Sequence, residues 1–227
     1  MSEHIVRRYD EDLAAIKRDL LEMGGMVEKM IADAMRALVE RNESLARQTI
    51  TYDHQVNRKE LEIDALAVSI LAKWQPVARD LRFITFAMKI NTDLERIGDT
   101  GVNICERAIE SLSEPQLKPF VDLPRMAARA LEMLKGALDA FVTENVEKAN
   151  QIIESDSVID DLYQQIFREL LTYMMADPKI IGQGLRLTFV AKYLERVADH
   201  ATNICEMIKY LVQGQDVRHL RSQAEAK

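Results

Sequence analysis

The chain has 227 residues, of which 48% are hydrophobic, 30% charged and 6% aromatic, and its formal net charge is −7. A net acidic chain repels a phosphate backbone, and no basic block with interleaved aromatics occurs, so no nucleic-acid partner is expected. No apolar segment follows Arg7 and Arg8. The most apolar stretch, Ala65–Trp74, is interrupted by Ser69 and Lys73, far short of the roughly 20 apolar residues of a spanning helix. The expectation is a cytoplasmic protein whose contact with a membrane is peripheral and made through partners.

Few Gly (8) and Pro (5), with abundant Ala, Leu, Met, Glu, Lys and Arg, bias the chain to helix. Apolar periodicity predicts six long helices. The first runs from about Asp10 to Glu40, with Gly24-Gly25 as a weak spot or kink. Asn42–Ser44 turn and cap a second helix that reaches Trp74. Gln75-Pro76 interrupts it, since proline lacks the amide proton and displaces the preceding residue from helical geometry. A third helix follows from Ala78 to about Ser111. The stretch Ser111–Val121, with Pro115 and Pro119, reads as a linker. Asp122 is placed as the cap of a fourth helix with Pro124 in its first turn, ending near Glu144. The fifth covers Val146–Ala176, and Asp177-Pro178 breaks the chain where Gln75-Pro76 broke it before. The sixth runs from Ile180 to Val212 and is ended by Gly214, leaving a polar, fraying tail from Arg218.

An internal repeat organises these elements. Leu94–Glu106 aligns with Leu194–Glu206, LERIGDTGVNICE over LERVADHATNICE, with eight of thirteen positions identical. Gly98/Ala198 and Gly101/Ala201 stay small, which lets a neighbouring helix approach. A weaker match joins helices two and five, pairing Asp53, Val56, Asn57 and Ile63 with Asp156, Ile159, Asp160 and Ile166. The fold class expected is all-α: two tandem, repeat-related three-helix bundles, residues 1–115 and 116–227, each with its own core. Cys105 and Cys205 are expected to be small buried hydrophobes without a disulfide. Methionine is expected as adaptable core, with Tyr173-Met174-Met175 as a candidate sticky surface.

Glu95 and Asp99 are four residues apart and so share one helix face, as do Glu195 and Asp199. Asp53/Asn57 and Asp156/Asp160 repeat this spacing on the preceding helix of each half. Facing pairs of oxygen ligands suit a hard cation such as Fe, Mn, Mg or Ca. The competing reading is a solvated acidic stripe with Arg96 and Arg196 as counter-ions, and the spacing alone does not choose between them. His200 is either a further ligand or a structural histidine. Ferritin-like Glu-x-x-His pairs, H-E-x-x-H, Walker and G-x-S-x-G motifs are absent from the sequence.

With LERIGD at Leu94–Asp99, LERVAD at Leu194–Asp199, the two NIC strings, QPVARDLR at Gln75–Arg82, LLTYMMADP at Leu170–Pro178 and GQDVRH at Gly214–His219, the chain resembles the PhoU family over nearly its whole length. That resemblance implies a non-enzymatic negative regulator of the phosphate-starvation response. It would couple the ATPase of a phosphate ABC transporter to a sensor histidine kinase, as a homodimer. It also implies multinuclear sites for Fe, Mn, Zn or Mg. By position these would be Asp53, Asn57, Glu95 and Asp99 in the first half and Asp156, Asp160, Glu195 and Asp199 in the second. Neutral Asn57 stands where the family motif prefers Asp, so charge counting favours the second site unless Glu60, about one turn on, compensates. The alternative function is a metal-dependent phosphoester hydrolase.

Overall fold

The computed structural model describes residues 2–118 and 120–213. All six predicted helices are present: α1 (Ser2–Glu40), α2 (Glu43–Trp74), α3 (Ala78–Glu110), α4 (Asp122–Thr143), α5 (Val146–Ala176) and α6 (Ile181–Gln213). Short 3-10 turns at Ser111–Ser113 and Pro178–Ile180 complete them. α1–α3 pack on one another, as do α4–α6, giving two repeat-related three-helix bundles. No helix among the described residues is long and apolar enough to cross a membrane. Gly214, the GQDVRH string and the expected polar tail lie outside the described residues.

The duplication extends into the turns. Arg41 and Glu144, at equivalent positions, both take the left-handed conformation (φ 55° and 52°) that reverses the chain after α1 and α4. Each is followed by an asparagine cap, Asn42 accepting from the Leu45 amide at 3.0 Å and Asn145 from the Lys148 amide at 2.9 Å. Such a cap satisfies one of the amides a helix start leaves without a partner. Asp122 behaves differently from expectation. It is the first residue of α4, preceded by Val121 with no side-chain cap, and its carboxylate accepts from Gln165 of α5 at 3.4 Å. There its charge still complements the helix dipole.

α1 continues through Gly24-Gly25, as expected. Gly24 is a point of close contact between the two halves: a Cβ there would stand 2.2 Å from Cδ1 of buried Leu138 on α4, while one on Gly25 would meet nothing within 4 Å. The small residues of α3 act in the same way within the first half. A Cβ on Gly98 would lie 3.3 Å from Val56 Cγ1, and one on Gly101 3.3 Å from Met30 Cβ.

The halves do not keep separate cores. The buried apolar side chains of both form one continuous cluster, joined where α3 meets α6 and α1 meets α4. Phe83 stacks on Phe141 across this junction at 5.7 Å, and Phe86 meets Tyr210 edge-on at 5.3 Å. Between α3 and α6, His200 Nδ1 lies 2.9 Å from the Asp93 carboxylate, and both side chains are largely buried. Lys17 and Arg79 both pair with Glu144 at one margin. The linker is tied down too: Arg41 donates to the carbonyls of Leu112 and Glu114, and Gln183 to that of Pro115. Cys105 and Cys205 are free and buried, and burial pushes both thiols up to about 12.

Helix propensity alone makes Gly→Ala stabilising by about 1 kcal/mol in a helix interior. Gly25→Ala should show that gain. Gly24→Ala should lose it and cost about 1 kcal/mol more, because Leu138 must leave its well-packed position. Urea unfolding of the two variants checks this, and equal gains at both positions would contradict the close contact between α1 and α4.

Candidate metal centre

In each half, acidic residues of the second and third helices lie close enough along the seam between those helices, here termed an acidic groove, to feel one another's charge. In the first, α2 and α3 run antiparallel at close range because Gly98 has no side chain, and Asp53 Oδ1 sits 3.5 Å from where its Cβ would be. Asp53 is buried, at 9% exposure, so one wall of this groove is not a solvated stripe. Its Oδ2 accepts from the Asn57 amide at 2.8 Å, but Asp53 Oδ1 and Asn57 Oδ1 are buried acceptors with no donor. Buried polar atoms nearly always find partners, so two unpaired oxygens on successive turns of one helix call for a cation or a donor from outside the chain.

The carboxylates around them feel one another. Asp53 is held above the ordinary carboxylate range, first by burial and then by Asp99, against the pull of the Asn57 hydrogen bond and of His54. Glu95 is raised by burial, then by Asp99, Glu60 and Asp53, with Arg96 only a weaker opposing influence. Glu60 is raised by burial, then by Asp64 and Asp99. Glu60 is therefore a member of this groove, on the side that Asn57 leaves short of charge. Among the described residues no Lys or Arg forms an ion pair with Asp53, Glu60, Glu95 or Asp99.

The second groove, between α5 and α6, brings Asp160, Glu195 and Asp199 together. Asp199 is raised by burial and then by Glu195, with Asp160 adding to it and Lys192 opposing. Lys192 pairs directly with Glu195, and its ammonium lies 5.4 Å from the centre of the Tyr163 ring. Asp156 has partners of its own one turn before Asp160. Sequence reasoning passed over Lys192 and Tyr163. The signal for both was a break in the repeat, since Thr92 and Glu60 stand at the equivalent places. His200 turns its Nδ1 away from this groove to Asp93 of the other half, in a structural role.

The donor set of both grooves is oxygen only, which suits hard cations. Among the described residues no three His, Cys, Asp or Glu side chains are gathered at ligating distance around one point. The carboxylates stand within reach of each other's charge without converging on one point.

The fold and these grooves define a duplicated helical-bundle protein with one acidic groove per repeat. Comparison with known proteins places it further. The PhoU domain family model matches the chain twice, over residues 20–108 and 123–208, and the chain belongs to the PhoU family. It is 40% identical over 97% of its length to the phosphate-specific transport system accessory protein PhoU homolog of Pseudomonas putida, covering 86% of that protein. With the accessory protein PhoU of Escherichia coli K12 the identity is 38% over 97% of this chain and 91% of the other. Among solved structures, PhoU from Pseudomonas aeruginosa superposes with a TM-score of 0.87 at 38% identity, over 91% of this chain and all of that one. The phosphate transport system regulatory protein PhoU from Streptococcus pneumoniae does so at 0.85 and 32%, over 92% and 99%.

The raised carboxyls fix a pH dependence. A carboxyl whose folded pKa lies above its unfolded value binds more protons in the native state, so its penalty is greatest at neutral pH and fades as pH falls towards the carboxylate range. Asp12 works in the opposite sense, held low by the Trp74 hydrogen bond ahead of its Lys73 contacts, and its contribution is lost only below its ordinary value. Chelator-treated protein should therefore melt a few degrees higher at mildly acidic than at neutral pH. Glu95→Gln should flatten that slope, and thermal melts across pH measure it.

Proposed function

We propose that this chain is a PhoU-like negative regulator of the phosphate-starvation response. It acts without catalysis on the cytoplasmic side of the membrane and couples the ATPase of a phosphate ABC transporter to a sensor histidine kinase. The observation that carries this reading is end-to-end likeness to proteins named as accessory to phosphate-specific transport, in a fold whose working features are surface grooves. Within this reading the grooves hold metal: Asp53, Asn57, Glu60, Glu95 and Asp99 in residues 1–115, and Asp156, Asp160, Glu195 and Asp199 in residues 116–227. The metal would be Fe, Mn, Zn or Mg, and its part is to neutralise carboxylates held beside an apolar seam.

The orphan oxygens of Asp53 and Asn57 would serve a metal-dependent phosphoester hydrolase equally well. Deletion of the gene in phosphate-replete cells, combined with turnover assays on metal-loaded protein, separates the two. Loss of the regulator should leave phosphate-starvation genes expressed despite abundant phosphate, with no metal-dependent phosphoester turnover. Intact repression in the deletion strain, or robust turnover, would reverse the choice.

Within this reading the chain forms a homodimer through an apolar strip of the second half. On the outer side of the α5–α6 hairpin, Phe167, Leu171 and Met175 recur every fourth residue on one helix, and Ile181, Leu185 and Phe189 on the other, with exposures from 37% to 77%. Met174, in contrast, is buried against Gly184. At the equivalent first-half positions Asp64, Thr85 and Lys89 are polar, and only Val68 and Leu81 are exposed large apolar residues, so the full strip occurs in the second half alone. It exposes roughly 500 Å². Two copies related by a twofold axis would cover about 1,000 Å² in total, near the lower bound for a specific interface. Leu185→Asp should convert the dimer to monomer in light scattering while leaving the helical circular dichroism unchanged; a dimer that persists would place the interface elsewhere.

A further inference from the structure

Set side by side, the two grooves differ at three equivalent pairs of positions, Thr92/Lys192, Glu60/Tyr163 and Asn57/Asp160. In the second groove the Lys192 ammonium pairs with Glu195, whose side chain is 13% exposed, and is held over the Tyr163 ring. Its charge also acts on Asp199. A metal entering there has to displace a positive charge tethered to one of its ligands. In the first groove the place of Lys192 is taken by Thr92, whose hydroxyl donates to the Met88 carbonyl of its own helix and brings no charge. The place of Tyr163 is taken by Glu60, which adds a carboxylate. The first groove so gathers Asp53, Glu60, Glu95 and Asp99 with no ion-pairing Lys or Arg among the described residues, and it keeps two buried oxygens without donors.

Counting ligand residues alone favours the second groove; counting every charge that touches the ligands reverses this. We propose that Lys192 is a built-in counter-cation that occupies the second groove, so that the first groove, completed by Glu60, is the tighter metal site. The inference rests on the metal-binding reading of the grooves. It adds that the two sites load in sequence, the second only when metal is abundant enough to push Lys192 aside. Lys192 is the residue suited to this: its flexible stem lets the ammonium swing to solvent, and its side chain is already 48% exposed.

The test is a titration of metal-free full-length protein with Mn²⁺, followed by the EPR signal of free Mn²⁺ and by metal content after gel filtration. The wild type should bind in two phases. Glu95→Gln should remove the tight phase and Glu195→Gln the weak one. Lys192→Thr, which copies the first groove, should tighten the weak phase by about tenfold or more, the effect of removing one opposing charge at a partly exposed site. Thr92→Lys should weaken the tight phase, and it serves independently should Lys192→Thr misfold; circular dichroism of each variant controls for this. If Glu195→Gln abolishes the tight phase, or if Lys192→Thr and Thr92→Lys fold and both leave the titration unchanged, the role of Lys192 is wrong while metal binding stands. If the wild type binds no Mn²⁺ beyond the Glu95→Gln/Glu195→Gln double variant, metal binding itself fails and takes the inference with it.

Discussion

The packing of α3 against α6 is the contact on which the rest of the molecule is assembled. Helices of thirty residues and more carry an apolar stripe that neighbouring helices cover, and most of a helix's stability inside a protein comes from that packing. α1 and α2 cover one side of α3, and α4 and α5 one side of α6. The remaining sides of α3 and α6 are buried against each other, which fuses two bundles into one core. This contact contains a polar pair, Asp93 with His200, that is costly to leave unmatched and so specifies how the two helices meet. Because α3 and α6 also carry Glu95, Asp99, Glu195 and Asp199, the position of each groove is set by the same contact.

Duplication makes each half a control for the other. What both halves keep is the apolar seam, the Asn-capped corner and the Glu/Asp face of the last helix. What they do not share is the residue set further along the groove. In the first half it continues acidic through Glu60 and Asp64, where Asn91 donates both to the Glu60 carbonyl and to the Asp64 carboxylate. In the second it passes through Tyr163 and Lys192 into the apolar strip of Phe167 and Phe189. Two copies of one scaffold therefore present different chemistry to the surroundings.

Much of the architecture was legible in the residues because it is written in local terms. Periodicity located all six helices, Asn42 was read as turn and cap, and the match of Leu94–Glu106 to Leu194–Glu206 announced the duplication. What escaped were features that depend on partners distant in sequence. Asp93 and His200 are 107 residues apart, and no spacing rule joins them. Gly24 read only as a weak spot because propensity is local, whereas it admits Leu138 of α4. Asp122 has the composition of a cap, yet the chain enters α4 one residue earlier. At the grooves, the carboxylates were found from their four-residue spacing. The counter-charge of Lys192 was missed because attention fell on the positions the halves share, and the informative one was where they differ.

The fused core has a bearing on how the molecule responds to dilution. A lone half would leave a full face of its third helix in water, together with one member of the Asp93–His200 pair. It would have to recruit a second half from solution, with an occupancy that tracks its abundance. Tethering both halves in one chain, through a linker held by Arg41 and Gln183, replaces that encounter with an intramolecular one at high effective concentration. The pairing of the grooves is thereby independent of how many copies the cell contains, a useful property in a protein whose relatives serve as accessories to a transport system.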